Sequence, residues 1–288
     1  KTVFGNKIHC QAPFMNSKKD EYHRFQQEGW QRAAAAYHSA WKDLTRPFAL
    51  HLIEAAGVAR GTRLLDLACG PGYASEIALK SGAVPTGVDF SSEMIRIAEK
   101  RLPGIRFYEG NAQAMAFEDH YFDAVVMNFG LPHMSDPGSV FPEVKRVLKS
   151  KGVFGFTVWA GPDMNPGSGI VHHAVRTHAD LDLGLPEGPD YFIFGNPEKC
   201  RDTLDKAGFD PASFIFRSVT TQWEVSSPAV LFESELNGGV RTAAVLRAQK
   251  PETLMAIKKE IETSVRSFKK GTGFAIPFTA HVITVNSV

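Results

Sequence analysis

Leu64-Leu65-Asp66-Leu67-Ala68-Cys69-Gly70-Pro71-Gly72 decides the fold. An apolar run of strand length ends in a glycine turn, and residues 73–80 continue at helical spacing. Gly70 and Gly72 carry no side chain, so the backbone can approach a ligand closely beside the N-terminus of that helix. A dinucleotide-binding turn reads G-x-G-x-x-G, its third glycine packing helix on strand. Here the position three beyond Gly72 is Ser75, which leaves that fingerprint incomplete.

Outward from this turn, short apolar runs alternate with amphipathic helices between Thr62 and Ala160. Strands are expected over 63–68, 85–90, 105–109, 122–129 and 153–159. One intervening helix spans 91–101, with Ser91 as its cap, and another opens at Asp136-Pro137 and turns Val140, Val144, Val147 and Leu148 inward. Such alternation implies βαβ crossovers and an α/β domain with a mainly parallel sheet. Upstream, residues 1–16 read as an irregular arm. From Ser17 a helical face follows (Trp30, Ala34, Tyr37, Trp41, Leu44), a break is expected at Pro47, and a second helix over 48–56 ends at Gly57. Downstream the rhythm loosens into glycine- and proline-rich loops around a His-rich helix over 170–181. Helices over 197–207 and from Pro251, and strands over 214–225 and 276–285, complete the reading.

The chain of 288 residues carries 32 basic and 31 acidic side chains, a formal net charge of +1. That balance gives no basic stripe for a polyanion, so no nucleic-acid partner is expected. Cys10, Cys69 and Cys200 form no CxxC pair, which argues against a disulfide framework and a zinc site. His172, His173 and His178 lack the spacing and the carboxylate of H-E-x-x-H, so no metal is expected there either. No apolar run reaches the length of a membrane span, and residues 1–16 lack a signal peptide's apolar region. A cytoplasmic location is expected.

Seventeen residues after Gly72, Asp89 closes Thr86-Gly87-Val88-Asp89-Phe90. A carboxylate at the end of a second strand can accept both hydroxyls of a ribose, and its alternative role is that of a helix-capping acid. The glycine turn and this acid together resemble the class I S-adenosylmethionine-dependent methyltransferases, in particular the subgroup with ubiquinone- and menaquinone-biosynthesis enzymes. The resemblance covers Trp30 to Trp159. It implies a Rossmann-like, doubly wound, seven-stranded, mostly parallel sheet, with a helical N-terminal segment and a cap insertion after the fifth strand. Residues 1–56 would then cover the site, 57–160 form the cofactor-binding core, 161–195 the cap, and 196–288 complete the sheet.

By the same resemblance, Asp66 positions the methionine end of S-adenosylmethionine, Gly70 and Gly72 bring backbone to that end, and Ala68 is a further cofactor-binding position. Asp89 holds the ribose, while Phe90 and Met94 pack on the adenine. Gly110-Asn111-Ala112-Gln113 resembles the family's Gly-Asp-Ala-Glu turn; Asn111 replaces the acid but keeps an oxygen that can accept from the adenine amino group. Asn128 and Phe129, after the fourth strand, are expected against the cofactor. His133 and Tyr37 are the candidate catalytic residues, His133 as a general base.

The implied reaction is transfer of the methyl group to a small molecule, releasing S-adenosylhomocysteine. Catalysis would come mainly from in-line positioning, which can supply about 7–11 kcal/mol of a barrier. Tyr191, Phe192 and Phe194 in the cap suit an aromatic or hydrophobic acceptor. Two other readings stand beside it: an S-adenosylmethionine-binding protein with a non-methyl-transfer or regulatory role, and an NAD(P)-dependent oxidoreductase. The incomplete glycine fingerprint and the lack of a Tyr-x-x-x-Lys set weigh against the latter. The acceptor's identity, the atom methylated and the oligomeric state are left open.

Overall fold

The computed structural model describes residues 17–288; the arm expected over 1–16 lies outside the described residues. Helix α1 (Lys18–Ala55) opens with a reciprocal cap: the Ser17 side chain accepts from the Asp20 N–H, and the Asp20 carboxylate accepts from the Ser17 N–H. The helix runs through Pro47 instead of breaking there. Proline deprives the Asp43 carbonyl of its donor, a defect of about 3 kcal/mol in a helix interior. Asp43 lies on the exposed side, where water can satisfy that carbonyl, while Leu44, Phe48, Leu52 and Ile53 are buried on the opposite side. Each such burial contributes roughly 1.5–3 kcal/mol, so the packed face outweighs the defect.

The core follows as β1 (Arg63–Leu67), α2 (Tyr73–Lys80), β2 (Val84–Asp89), α3 (Ser92–Arg101), β3 (Arg106–Glu109), β4 (Phe122–Asn128), α4 (Val140–Val147) and β5 (Leu148–Trp159). Then come α5 (Pro166–His178), α6 (Pro197–Lys206), β6 (Phe209–Val225), α7 (Val230–Gly238), α8 (Arg241–Arg247), α9 (Pro251–Val265), the two-residue β7 (Lys269–Lys270) and β8 (Gly273–Ser287). The strand order is β3-β2-β1-β4-β5-β8-β6, with β7 paired to β8. The first five strands of that order run parallel, and β8 is antiparallel to both β5 and β6.

Alternation along the strands divides the core. Leu65, Leu67, Val125 and Met127 face α4 and α6, while Leu64, Ala124 and Val126 face α1 and α2. Two features of the last third were not foreseen. Helices α7 and α8 lie where no helix was expected, and β6 starts at Phe209, with a register shift between Asp210 and Ile215. The strand order reverses between β1 and β4, which run parallel, and it is there that open α/β sheets leave a crevice beyond their strand ends.

A charged latch holds the glycine turn at that edge. Arg101, the last residue of α3, donates to the Pro71 carbonyl and pairs with Glu76 of α2 at 2.7 Å. Arg46 and Lys80 also reach Glu76. Burial raises the Glu76 pKa, but the bonds from Lys80 and Arg101 outweigh it and bring the group from 4.5 down to about 2. A carboxylate depressed on folding stabilises the protein above its unfolded pKa and loses that contribution as pH falls through the folded one. Glu76→Gln should therefore cost about 1–3 kcal/mol at neutral pH. In thermal melts its gap from the wild type should narrow as pH falls from about 5 to 2; a gap independent of pH would rule out the latch.

Candidate active site

A cavity of about 490 Å³ opens at the carboxyl ends of β1, β2 and β4. Two non-glycine residues at these strand ends hold left-handed backbone, Ala68 (φ 54°) and Phe129 (φ 61°), and both line it. Such conformations cost of order 1 kcal/mol each and persist only where the surroundings impose them. The strain turns the chain away at the strand ends.

Asp89 lies at the mouth of β2, almost fully buried. The Gly70 N–H donates to its Oδ2 (2.8 Å) and the Ser91 N–H to its Oδ1 (2.9 Å). Burial pushes this carboxyl up to about 6, a rise held in check by those backbone donors. Gly70 itself has left-handed φ, and a methyl group built there would meet nothing nearer than the Met94 sulfur at 4.0 Å. Its backbone therefore faces open space. Gly72 differs: at φ 80° a side chain would press on Leu102 and Phe107, so this glycine serves the turn.

Ala68, Gly70, Asp89, Phe90, Met94, Asn111, Ala112, Asn128 and Phe129 all line the cavity, as do His133 and Tyr37. Asp66 and Gly72 do not. Asp66 is on the strand face that meets α2, and its Oδ2 accepts from the Ser75 N–H (2.9 Å) and hydroxyl (2.6 Å). Burial lifts Asp66 to about 7 against those two bonds. It braces the turn from behind and does not itself line the cavity. Asn111 Oδ1 already accepts from the Gln113 N–H (2.9 Å), with one lone pair left. The Asn128 amide donates to the Thr45 carbonyl (3.3 Å) and accepts from the Thr157 hydroxyl (2.8 Å), tying β4 to α1 and β5.

The far half of the cavity is aromatic. Trp30 stands edge-on to His133 (4.8 Å between centroids) and to Tyr37 (5.2 Å). Trp41 stacks on Trp223 at 5.3 Å and so packs while it lines. Tyr191 and Phe192 close the space from the segment after α5, and Phe194 belongs to the core beneath. His172 reaches the wall, whereas His173 is exposed near Glu260. Among the described residues no group of three His, Cys, Asp or Glu side chains is placed to hold a metal.

Sequence reasoning missed the wall supplied by α7 and α8: Glu235, Gly238, Val240, Arg241 and Thr242. The signal was present in the apolar spacing of Leu231, Phe232 and Leu236 before the Asn237-Gly238-Gly239 stop. Burial lifts Glu235 to about 7, with the Thr242 hydroxyl partly offsetting the rise.

Residues 65–156 match a family described as a methyltransferase domain. Over 211 residues the chain is 35% identical to the demethylmenaquinone methyltransferase of Paenarthrobacter aurescens, covering 72% of this chain and 78% of that one. Over 122 residues it is 34% identical to the same-named enzyme of Renibacterium salmoninarum, where the match spans 42% of this chain and about half (52%) of the relative. The phosphoethanolamine N-methyltransferase 2 of Haemonchus contortus, solved with S-adenosyl-L-methionine, superposes with a TM-score of 0.56 at 17% identity, over 95% of this chain and 60% of that one. The last likeness is one of fold. The chain belongs to the S-adenosylmethionine-dependent methyltransferases. Among the described residues no helix is long and apolar enough to cross a membrane.

His133 sits among these rings, and burial lowers it to about 4, so its imidazole is neutral at physiological pH. In a pH titration followed by NMR its ring signals should hold constant from pH 8 to about 5. A midpoint at the ordinary value near 6.5 would show that the aromatic wall does not enclose it.

Proposed function

We propose that this chain methylates a hydrophobic, ring-bearing small molecule, with the donor's nucleoside at the Asp89 end of the cavity and the acceptor at the aromatic end. The observation that carries this reading is the union of the two ends in one cavity: a carboxylate fixed by two backbone N–H groups faces the same space as Trp30, Trp41, His133 and Tyr191. The ring acceptor named for the demethylmenaquinone relatives is of the same character.

The residues fit S-adenosylmethionine. A carboxylate accepts about four hydrogen bonds, and backbone takes two of Asp89's, so ribose hydroxyls can take the others. Gly70 presents bare backbone, and Phe90 and Met94 supply an apolar flank for the adenine, with Asn111 and Ala112 at its edge. When bound, the group supplies a methyl carbon already activated on a sulfonium. The protein's contribution is then to align and to exclude water: Asn128 and Phe129 form the floor at the end of β4, and Tyr37 and Trp30 the wall from α1. The Tyr37 hydroxyl, raised above its ordinary value by burial, stays protonated. His133 can accept a proton, but a group at about 4 is a weak base, so its contribution lies chiefly in shape.

Asp89→Asn removes the charge while keeping the size. Calorimetry should show S-adenosylmethionine binding weakened at least about tenfold, the scale of one charge-assisted hydrogen bond. In the wild type the affinity should also fall as pH drops through about 6, because protonation of Asp89 removes the charge that strengthens its bonds to the ribose. Wild-type affinity retained in the variant, or flat across that pH range, would exclude Asp89 from the ribose. Release of S-adenosylhomocysteine with quinols and naphthols tests the acceptor class, and turnover confined to polar acyclic acceptors would refute it.

A further inference from the structure

The aromatic half of the cavity contains one carboxylate, that of Glu235, projecting from the last turn of α7. Among the described residues no cation pairs with it; the Thr242 hydroxyl on α8 is its polar neighbour. Arg241 also lines the cavity, but its guanidinium donates to the Pro186 carbonyl at 2.7 Å and is held there. Tyr191, from the segment after α5, lines the same cavity as Glu235, Tyr22 and Tyr37, and burial followed by Glu235 raises its hydroxyl pKa. On the α9 side, the Lys258 ammonium lies over the Phe232 ring. A second acceptor stands in the same wall: Gln26, only 1% exposed, has an Oε1 with no donor.

A half-buried carboxylate on the wall of a ring-lined cavity, with no compensating charge, is costly unless something donates to it. We infer that Glu235 is the specificity-determining residue for the methyl acceptor, accepting a hydrogen bond from an O–H or N–H group on a hydrophobic ring compound; the inference rests on the cavity being the methyl-transfer site. Rings lacking such a donor leave the carboxylate buried and unmatched, and the site rejects them. Gln26 Oε1 provides a second acceptor for a ligand that carries two donors. Sites built to hydrogen-bond a ligand's hydroxyl discriminate strongly against analogues without it, because their own buried polar groups go unpaired. With its pKa raised to about 7, Glu235 is about half ionised at neutral pH, and a donor bound to it favours the ionised form.

The test uses the whole protein loaded with S-adenosylhomocysteine, and two probes that share a ring: 2-naphthol, which can donate, and 2-methoxynaphthalene, which cannot. Calorimetry at pH 7.5 should give at least about tenfold tighter binding of 2-naphthol, equivalent to ~1.4 kcal/mol. In Glu235→Leu this preference should collapse toward unity, while the affinity for S-adenosylhomocysteine stays within about twofold. Glu235→Gln keeps an accepting oxygen without charge, and its preference should fall between the two. Thermal melts of both variants confirm that the fold is retained. Equal affinity of the wild type for the two probes, failure of both to bind, or a preference that survives in Glu235→Leu overturns the inference while leaving the cofactor site intact. Failure of S-adenosylhomocysteine itself to bind overturns the functional reading beneath it.

Discussion

The site depends on a buried carboxylate that organises backbone. Asp89 takes the N–H of Gly70 with one oxygen and the N–H of Ser91 with the other, so a single side chain fixes both the glycine turn after β1 and the first turn of α3. An ionised carboxylate in such a place costs several kcal/mol unless it is hydrogen-bonded. Two backbone donors meet much of that demand and leave the remaining lone pairs facing the cavity. The arrangement is self-consistent, because the donors that stabilise the acid are the same groups whose positions shape the floor of the site. Asp66 repeats the device one layer back, holding Ser75 and thereby the start of α2, and Arg101 closes the turn from the other side through the Pro71 carbonyl. A turn braced by three charged side chains can carry left-handed backbone at Ala68 and Gly70 without collapsing into its own crevice.

The second constraint is closure. A parallel sheet leaves its carboxyl edge open, and here α1 crosses that edge, meeting α7 and the link from α7 to α8 closely enough that small residues are required at the contact. A methyl group at Gly238 would lie 2.7 Å from the Trp41 indole nitrogen, and one at Gly29 would lie 2.3 Å from a Val240 methyl. Trp41 can therefore stack on Trp223 behind the wall and still present an edge to the cavity. The continuity of α1 through Pro47 matters for the same reason. A break there would separate the capped, aromatic first half from the second half, whose Phe48 and Leu52 are anchored in the core.

How far the sequence disclosed this depends on how local each signal is. The strand-turn-helix around Gly70 and the acid at Asp89 are written in consecutive residues, and the structure brings them to one cavity. The direction of Asp66 is legible only through strand alternation: it shares a face with Leu64, toward α2, and proximity to the turn in sequence did not reveal that. Pro47 read as a break because propensity is local, whereas the burial that overrides it comes from the sheet beneath. Glu235 was invisible for a further reason. Its helix is short, follows a strand longer than expected, and reaches the site only through tertiary contact with α1 and α5's following segment, so no motif near it announces chemistry.

The charges of the cavity make a final point about why such a site suits a sulfonium donor. Asp89 at one end and Glu235 at the other are both raised by burial, to about 6 and about 7, and Arg241 is the one guanidinium on the wall, already committed to the Pro186 carbonyl. His133, which lines the same cavity, is held neutral by burial. The enclosed space thus carries more negative than positive charge, in surroundings where Coulomb interactions are stronger than in water. A cation entering it relieves the penalty on both carboxylates, whereas a neutral ligand of the same shape relieves only what its hydrogen bonds reach. Methyl transfer converts the first kind of ligand into the second. Carboxylates without matching cations attract a charged ligand more strongly than a neutral one, so loss of the sulfonium charge weakens that attraction.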